Sequence, residues 1–469
     1  MASEDITVLW TPSELSISQA NITKFAEFFR TFYVPALGSS YEDLHAASVQ
    51  QPGDFWRAVC QFCGIVGEMG NKSFVPCNGI LESKWFPHAK LNFAEAILKP
   101  AKLIDSSFAD SIALVARNER GDRTTLTHKQ LFERVCQVAG FLEERGVGPG
   151  DRVAAVLPNM AEAVVGLLAT AAIGAIWSSC SPEFGDDAIC DRFGQIEPKV
   201  VITAAECRYG GKSIYPLVKV VRTLARLPSV TTLLVVGEFN SVESIGAGTS
   251  VQSFAWNDIS QLPIRPFRFE RFSFDHPLYV VYSSGTTGVP KCMVHGVGGT
   301  LLQHCKEHTL HCDLRKGDML FYYTTTGWMM WNWLVSGLAS GASILLYDGS
   351  PFANGAKTLW DIAKMEGVTH FGASPRYYMT LEKEGYLPAE SFVLDRLRCV
   401  MSTGSPLLPE SFDWIYCAIS PKITLASISG GTDILSCFVL GNPTTMAGDG
   451  TASPTKITRC RQQIPRWNG

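Results

Sequence analysis

Short apolar runs rich in β-branched and aromatic residues recur along this chain, and helical patterns fall between them. That alternation constrains the fold more than any single motif. Ser111-Ile112-Ala113-Leu114-Val115-Ala116 reads as a strand. Thr127-x-x-Gln130 reads as a capping box, and the helix behind it places Leu131, Val135, Val138, Ala139 and Leu142 on one face. Gly146-Val147-Gly148-Pro149-Gly150 stops that helix. Val153 to Leu157 is a second strand, and a buried helix runs from Ala163. A helical pattern around Ala188–Phe193 precedes the strand Lys199-Val200-Val201-Ile202-Thr203. After Leu278 the pattern repeats, with strand-like runs at 320–323, 343–347, 368–372 and 397–402. Such alternation predicts an α/β fold of two consecutive, mostly parallel sheets with flanking helices. The length, 469 residues, exceeds one ordinary core and suits two packed units.

Composition narrows the function. Hydrophobic residues make up 46% and charged residues 18%, a globular mixture. The net charge of −4 carries no basic stripe and argues against nucleic acid as a partner. The acidic start Met1-Ala2-Ser3-Glu4-Asp5 has no apolar h-region, so no signal peptide is read. With 14 scattered cysteines, this points to a reducing, cytosolic compartment. The longest apolar run, Ala163 to Trp177, falls short of the about 20 residues of a membrane span. Residues 1–100 read as an irregular, aromatic-rich wrapping segment and 101–440 as the core. From Gly441 the chain is Pro/Thr/Gly-rich and then basic, at Lys456, Arg459, Arg461 and Arg466, and reads as an exposed or disordered tail.

The chemistry concentrates in loops after strands. Tyr282-Ser283-Ser284-Gly285-Thr286-Thr287-Gly288-Val289-Pro290-Lys291 follows the run Leu278–Val281. Hydroxyls donate to phosphate oxygens, glycines let the backbone approach an anion, and the lysine adds a cation. The spacing is not that of a P-loop, because Val289-Pro290 separates Gly288 from Lys291. Short runs of this kind are usually plain turns, but ten ordered positions with this hydroxyl density argue for a polyphosphate cradle. Four further segments sit at predicted carboxyl ends of strands, where open α/β sheets bind ligands. They are Thr324-Thr325-Thr326-Gly327-Trp328-Met329-Met330-Trp331-Asn332, Ser374-Pro375-Arg376-Tyr377, Ser402–Leu407 and Ser429-Gly430-Gly431-Thr432-Asp433. The first, taken alone, would be core packing more often than not.

Together these segments resemble the adenylate-forming superfamily of acyl-CoA synthetases, over nearly the whole stretch from Trp85 to Phe438. Within it the likeness is to the acetoacetate-activating branch, a relative of the acetate-activating one. Trp85–Glu95, Ser181-Pro182-Glu183-Phe184-Gly185, Asp191–Lys199 and Thr326–Asn332 look specific to that branch. The resemblance implies an ATP-dependent ligase that joins acetoacetate to CoA through an acyl-adenylate and supplies cytosolic acetoacetyl-CoA for lipid synthesis. It implies ATP, Mg²⁺ and CoA as small-molecule partners. Ser283, Ser284, Gly285, Thr286, Thr287, Gly288 and Lys291 would hold phosphates, and Gly404-Ser405-Pro406 would contact adenine. Thr432 would meet the α-phosphate, and Asp433 would hold Mg²⁺ in place of the family's usual Glu. Trp328 and Met329 would wall the acyl pocket. Gly430 replaces a Trp that closes the pocket in acetate-specific relatives, leaving room for a longer acyl chain. Arg192 would meet a CoA phosphate; as a helix-surface residue it would instead pair with Asp191 or Glu197.

The likeness fades near Leu440. Gly448-Asp449 does not fit the family's ribose-binding pair, and Lys456 lacks the context of its catalytic lysine. The expectation is an adenylation core without its small C-terminal lid, and weak or no adenylation, since one positioned group is worth about 10²–10³ in rate. Two other readings stand beside this one: a nucleotide- or acyl-binding module without turnover, and a synthetase for other short- or medium-chain acids. A third reads His304, Cys305, His308, His311 and Cys312 as zinc ligands, although their spacing fits no zinc motif.

Overall fold

The computed structural model describes residues 8–448 apart from 80, 100, 101, 103, 239–249, 265 and 284–287, together with 455 and 456. The apolar runs form two seven-stranded sheets. Across the first, the strands are Gln252–Ala255, Thr232–Val236, Val200–Ala204, Arg152–Val156, Ile176–Cys180, Pro277–Ser283 and Lys291–Gly296. Across the second they are Thr424–Ser427, Cys399–Ser402, His370–Ala373, Met319–Tyr322, Ser343–Asp348, Ile112–Asn118 and Arg123–Thr127. In each sheet the pairing is parallel until the last strand, which closes one edge as an antiparallel hairpin. Strands such as Val200–Ala204 and Ile176–Cys180 are buried along their whole length. Helices cover both faces, so these strands are apolar throughout rather than alternating.

The two sheets are interleaved along the chain. Ile112–Asn118 opens the expected first repeat but pairs with Ser343–Asp348 in the second sheet. Pro277–Ser283 opens the expected second repeat but pairs with Ile176–Cys180 in the first. Periodicity identifies a strand and carries no information about its partner.

Local signals explain the helices. Thr127 and Gln130 form the reciprocal capping box that starts His128–Glu144, and Gly146 follows its end at φ +73°. Helix Ala161–Ala172 is buried almost throughout and packs on His128–Glu144 and Phe93–Leu98. No helix of the described residues is long and apolar enough to cross a membrane. The first hundred residues, read as irregular, hold five helices among those described. Asn21–Phe32 and Pro52–Phe62 interlock through Phe25, Phe29 and Phe55. Burying each such ring stabilises the packing by about 1.5–3 kcal/mol. Both helices rest on the segment Val297–His311.

Residues 441–448, assigned from sequence to an exposed tail, are folded. Asn442 is fully buried, and Ala447–Gly448 pairs with Val8–Trp10. The remaining tail lies outside the described residues except for Thr455–Lys456, which pairs with Val439 and Leu440.

Candidate active site

The sequence placed five loops at carboxyl ends of strands, and the described parts of all five are there. The strands end at Ser283, Tyr322, Ala373, Ser402 and Ser427. Three of these loops meet around a cavity of about 550 Å³. Its lining includes Trp328, Met329, Gly404, Ser405, Pro406, Gly430 and Thr432.

One wall is the segment Thr324–Asn332. Thr326 joins the sheets: its hydroxyl donates to the Leu157 carbonyl at 2.6 Å, and its own carbonyl accepts from Ser179 Oγ at 2.7 Å. The Trp331 indole donates to Asn159 Oδ1 at 3.0 Å. These bonds tie the second sheet's loop to strand ends of the first, so the wall is fixed before any ligand arrives. Trp328 caps helix Met329–Ser336 and lies edge-on to Tyr322, with ring centroids 6.1 Å apart. Gly404, at φ +106°, turns the opposite loop, and a Cβ there would lie 3.6 Å from the Trp328 ring. The glycine thus makes a turn that other residues resist and lets the indole lie close.

The second wall is the hairpin Ser429–Gly431 and Ser436–Leu440, whose turn carries Thr432 and Asp433. His295, on strand Lys291–Gly296, holds that turn: its Nε2 is 2.9 Å from the Thr432 carbonyl. Burial lowers the His295 pKa, outweighing the Thr432 carbonyl and the Asp433 charge. The ring is therefore neutral near pH 7, with Nε2–H donating to Thr432. Asp433 is exposed at the turn. Gly430 faces backbone, not open space. A Cβ there would fall 2.1 Å from the Ser436 carbonyl oxygen and 2.7 Å from Cys437 Cα. Its lack of a side chain is demanded by the hairpin, so a larger residue would move the strand and not merely fill the pocket.

The stretch expected to hold phosphates lies between two antiparallel strands, with Ser283 opposite Lys291. Ser284, Gly285, Thr286 and Thr287 lie outside the described residues. Gly288, at φ +123°, and Lys291 are exposed, and the Gln195 amide donates to the Pro290 carbonyl at 2.9 Å. Ser283, Gly288, Lys291, Arg192 and Asp433 do not line the cavity. Arg192 takes neither Asp191 nor Glu197 as partner among the described ion pairs. Its guanidinium lies 4.6 Å from the Phe184 ring centre and 5.5 Å from that of Tyr282, and donates to the Ala188 carbonyl. It thus lies beside Tyr282, near the end of strand Pro277–Ser283.

Sequence reasoning missed His295, Trp333, Glu307, Ser436 and Cys437, the last four of which line the cavity. The histidine-rich segment drew attention only as a zinc site. Among the described residues no group of three or more His, Cys, Asp or Glu could hold a metal. His304 uses both ring nitrogens, on Ser336 Oγ at 2.9 Å and the Leu435 carbonyl at 3.0 Å. The informative residue was the glutamate among those histidines.

Comparison with known proteins agrees with this geometry. The family model described as AMP-binding enzyme matches residues 105–457. Acetoacetyl-coenzyme A synthetase of Rhizobium meliloti (strain 1021) is 44% identical over 443 residues, 93% of this chain and 65% of that protein. The mouse acetoacetyl-CoA synthetase is 40% identical over 441 residues, 92% of this chain and 64% of that one. The solved acetoacetyl-CoA synthetase from Streptomyces lividans superposes with a TM-score of 0.86 at 38% identity, over 95% of this chain and 69% of that one. The chain spans just under two thirds of the length of these curated relatives.

Proposed function

The chain belongs to the AMP-binding enzyme family, and we propose that its cavity activates acetoacetate for transfer to CoA. One observation carries this reading: the acyl wall at Trp328 and Met329, the turn at Gly404–Pro406 and the motif Gly430–Thr432 enclose a single cavity. In the first step a carboxylate oxygen of the acid bonds to the α-phosphorus of ATP, and the bond to pyrophosphate breaks. In the second, the CoA sulfur bonds to the acyl carbon, and the bond to AMP breaks.

The chain's own residues bind and orient. Lys291 and the loop beside it take the β- and γ-phosphates, with backbone N–H groups and hydroxyls as donors. His295 holds the Thr432 carbonyl, and Thr432 would meet the α-phosphate. The exposed carboxylate of Asp433, beside the half-buried Thr432, suits a hard cation, so Asp433 would hold Mg²⁺, which supplies charge neutralisation at the transferring phosphate. Trp328 and Met329 exclude water from the acyl end. A cavity of about 550 Å³ accommodates a nucleotide with a short acid.

The test is ATP–pyrophosphate exchange with acetoacetate, acetate, butyrate and hexanoate. Exchange strongest with acetoacetate supports the reading. Equal exchange with every acid overturns the acyl assignment. Stabilisation by ATP without exchange would leave a nucleotide-binding module.

A further inference from the structure

We propose that Glu307 is a positioning residue for adenylation, locking the Gly430–Thr432 hairpin against the acyl wall so that acyl and nucleotide groups are held in line. This rests on the functional reading above. Glu307 is only 2% exposed yet borders the cavity. It opens the π-helical turn Glu307–His311 that follows helix Val297–Lys306. Such turns are rare and cluster at functional sites, because the extra residue redirects a side chain.

Its carboxylate gathers three separate elements. Oε2 accepts from the Trp333 indole at 2.8 Å, on the helix that begins with Met329. Oε1 accepts from Gln303 Nε2 at 3.1 Å, from Ser436 Oγ, and from Cys437 Sγ at 3.3 Å. Gln303 also donates to Ser436 Oγ. Ser436 and Cys437 stand directly opposite Gly431 and Gly430 in the hairpin. Those glycines have no side chains to adjust the pairing, so strand Ser436–Leu440 dictates where the motif lies.

The direction of the hydrogen bonds decides the role. The Trp333 N–H, the Ser436 hydroxyl, the Cys437 thiol and both Gln303 amide hydrogens already point within the cluster. None remains to donate to a substrate. Glu307 therefore acts through the walls it joins. Burial makes each of these bonds costly to break, because a stranded donor cannot reach water.

The variants Glu307→Gln, Glu307→Asp, Ser436→Ala and Trp333→Phe test this on the full chain. Calorimetric titration uses 5′-O-(N-butanoylsulfamoyl)adenosine, a stable acyl-adenylate mimic, beside AMP. Glu307→Gln puts an amide donor among donors, and the mimic should bind about tenfold more weakly or worse, with AMP affinity changed by less than about threefold. Glu307→Asp, which keeps the acceptors, should recover part of the loss. Trp333→Phe and Ser436→Ala, each removing one donor, should shift the mimic-to-AMP ratio in the same direction, and they decide the question if Glu307→Gln does not fold. An unchanged ratio in the folded variants overturns the proposal. Wild-type chain that binds neither probe overturns the functional reading instead.

Discussion

The two sides of the proposed site are built in opposite ways. On the proposed phosphate side, which lies outside the cavity lining, Gly288, Val289 and Lys291 are exposed, and the Gln195 amide donates to the Pro290 carbonyl. On the acyl side, Met329, Trp333, Glu307 and Ser436 are buried, and a single carboxylate ties helix, π-turn and hairpin together. The contrast follows from the ligands. A polyphosphate is recognised by many equivalent donors, which solvent-facing backbone and hydroxyls supply. A short acid offers few polar atoms, so discrimination depends on walls that do not move.

Breaking the phosphate side should have the largest effect. Lys291→Ala should lower acetoacetate-dependent exchange by about 10²–10³-fold, as for loss of one positioned charge-stabilising donor. A change below about threefold would remove Lys291 from the phosphate set. The hairpin that joins both sides comes next. Gly430→Ala forces a Cβ against the Ser436 carbonyl oxygen and should cost about 1–3 kcal/mol, read as a lower Tm. An unchanged Tm would show that the hairpin shifts freely. Met329→Ala sharpens the acyl half: enlarging the wall should move preference toward longer acids by about tenfold in relative kcat/KM, with little change in KM for ATP. If preference stays with acetoacetate, Met329 is not part of the acyl wall.

A test outside the site itself lies at Asp348, at the carboxyl end of its strand. Burial, then the charges of Glu119 and Glu183, push its pKa up to about 7. A carboxyl that binds its proton more tightly when folded stabilises the fold most at low pH. Stability should fall as pH rises between about 4 and 7, by on the order of 1 kcal/mol per unit or less. Asp348→Asn should flatten that slope in chemical denaturation measured across pH. An identical slope would assign the dependence elsewhere.

Much of this was legible from residues alone. The Ser283–Lys291 stretch, the Gly404 turn and the Thr432-Asp433 motif are local patterns whose chemistry depends on their own composition. The strands were legible because both faces are buried, which makes their runs continuously apolar. The Glu307 cluster was not: Gln303 precedes Glu307 by four residues, but Trp333 and Ser436 come from other parts of the chain and no spacing links them. His295 was hidden for the same reason, since only the fold brings it to Thr432. Gly430 was read as space when its neighbour is the backbone of the opposite strand. Arg192 was read by charge, and its neighbours, the Phe184 and Tyr282 rings, were not foreseen.

The exchange of strands between the two sheets has a consequence for biosynthesis. Ile112–Asn118 can form its hairpin with Arg123–Thr127 early, but its parallel neighbour Ser343–Asp348 is made far later. At ribosomal speeds that interval is roughly ten seconds or more, during which one edge of an apolar hairpin stands open. The second layer cannot close until the first, whose last strand ends at Gly296, has been translated in full. Yield in cells should therefore depend on elongation rate and on chaperones that shield nascent edges, to a degree that a chain folding one unit after another would escape.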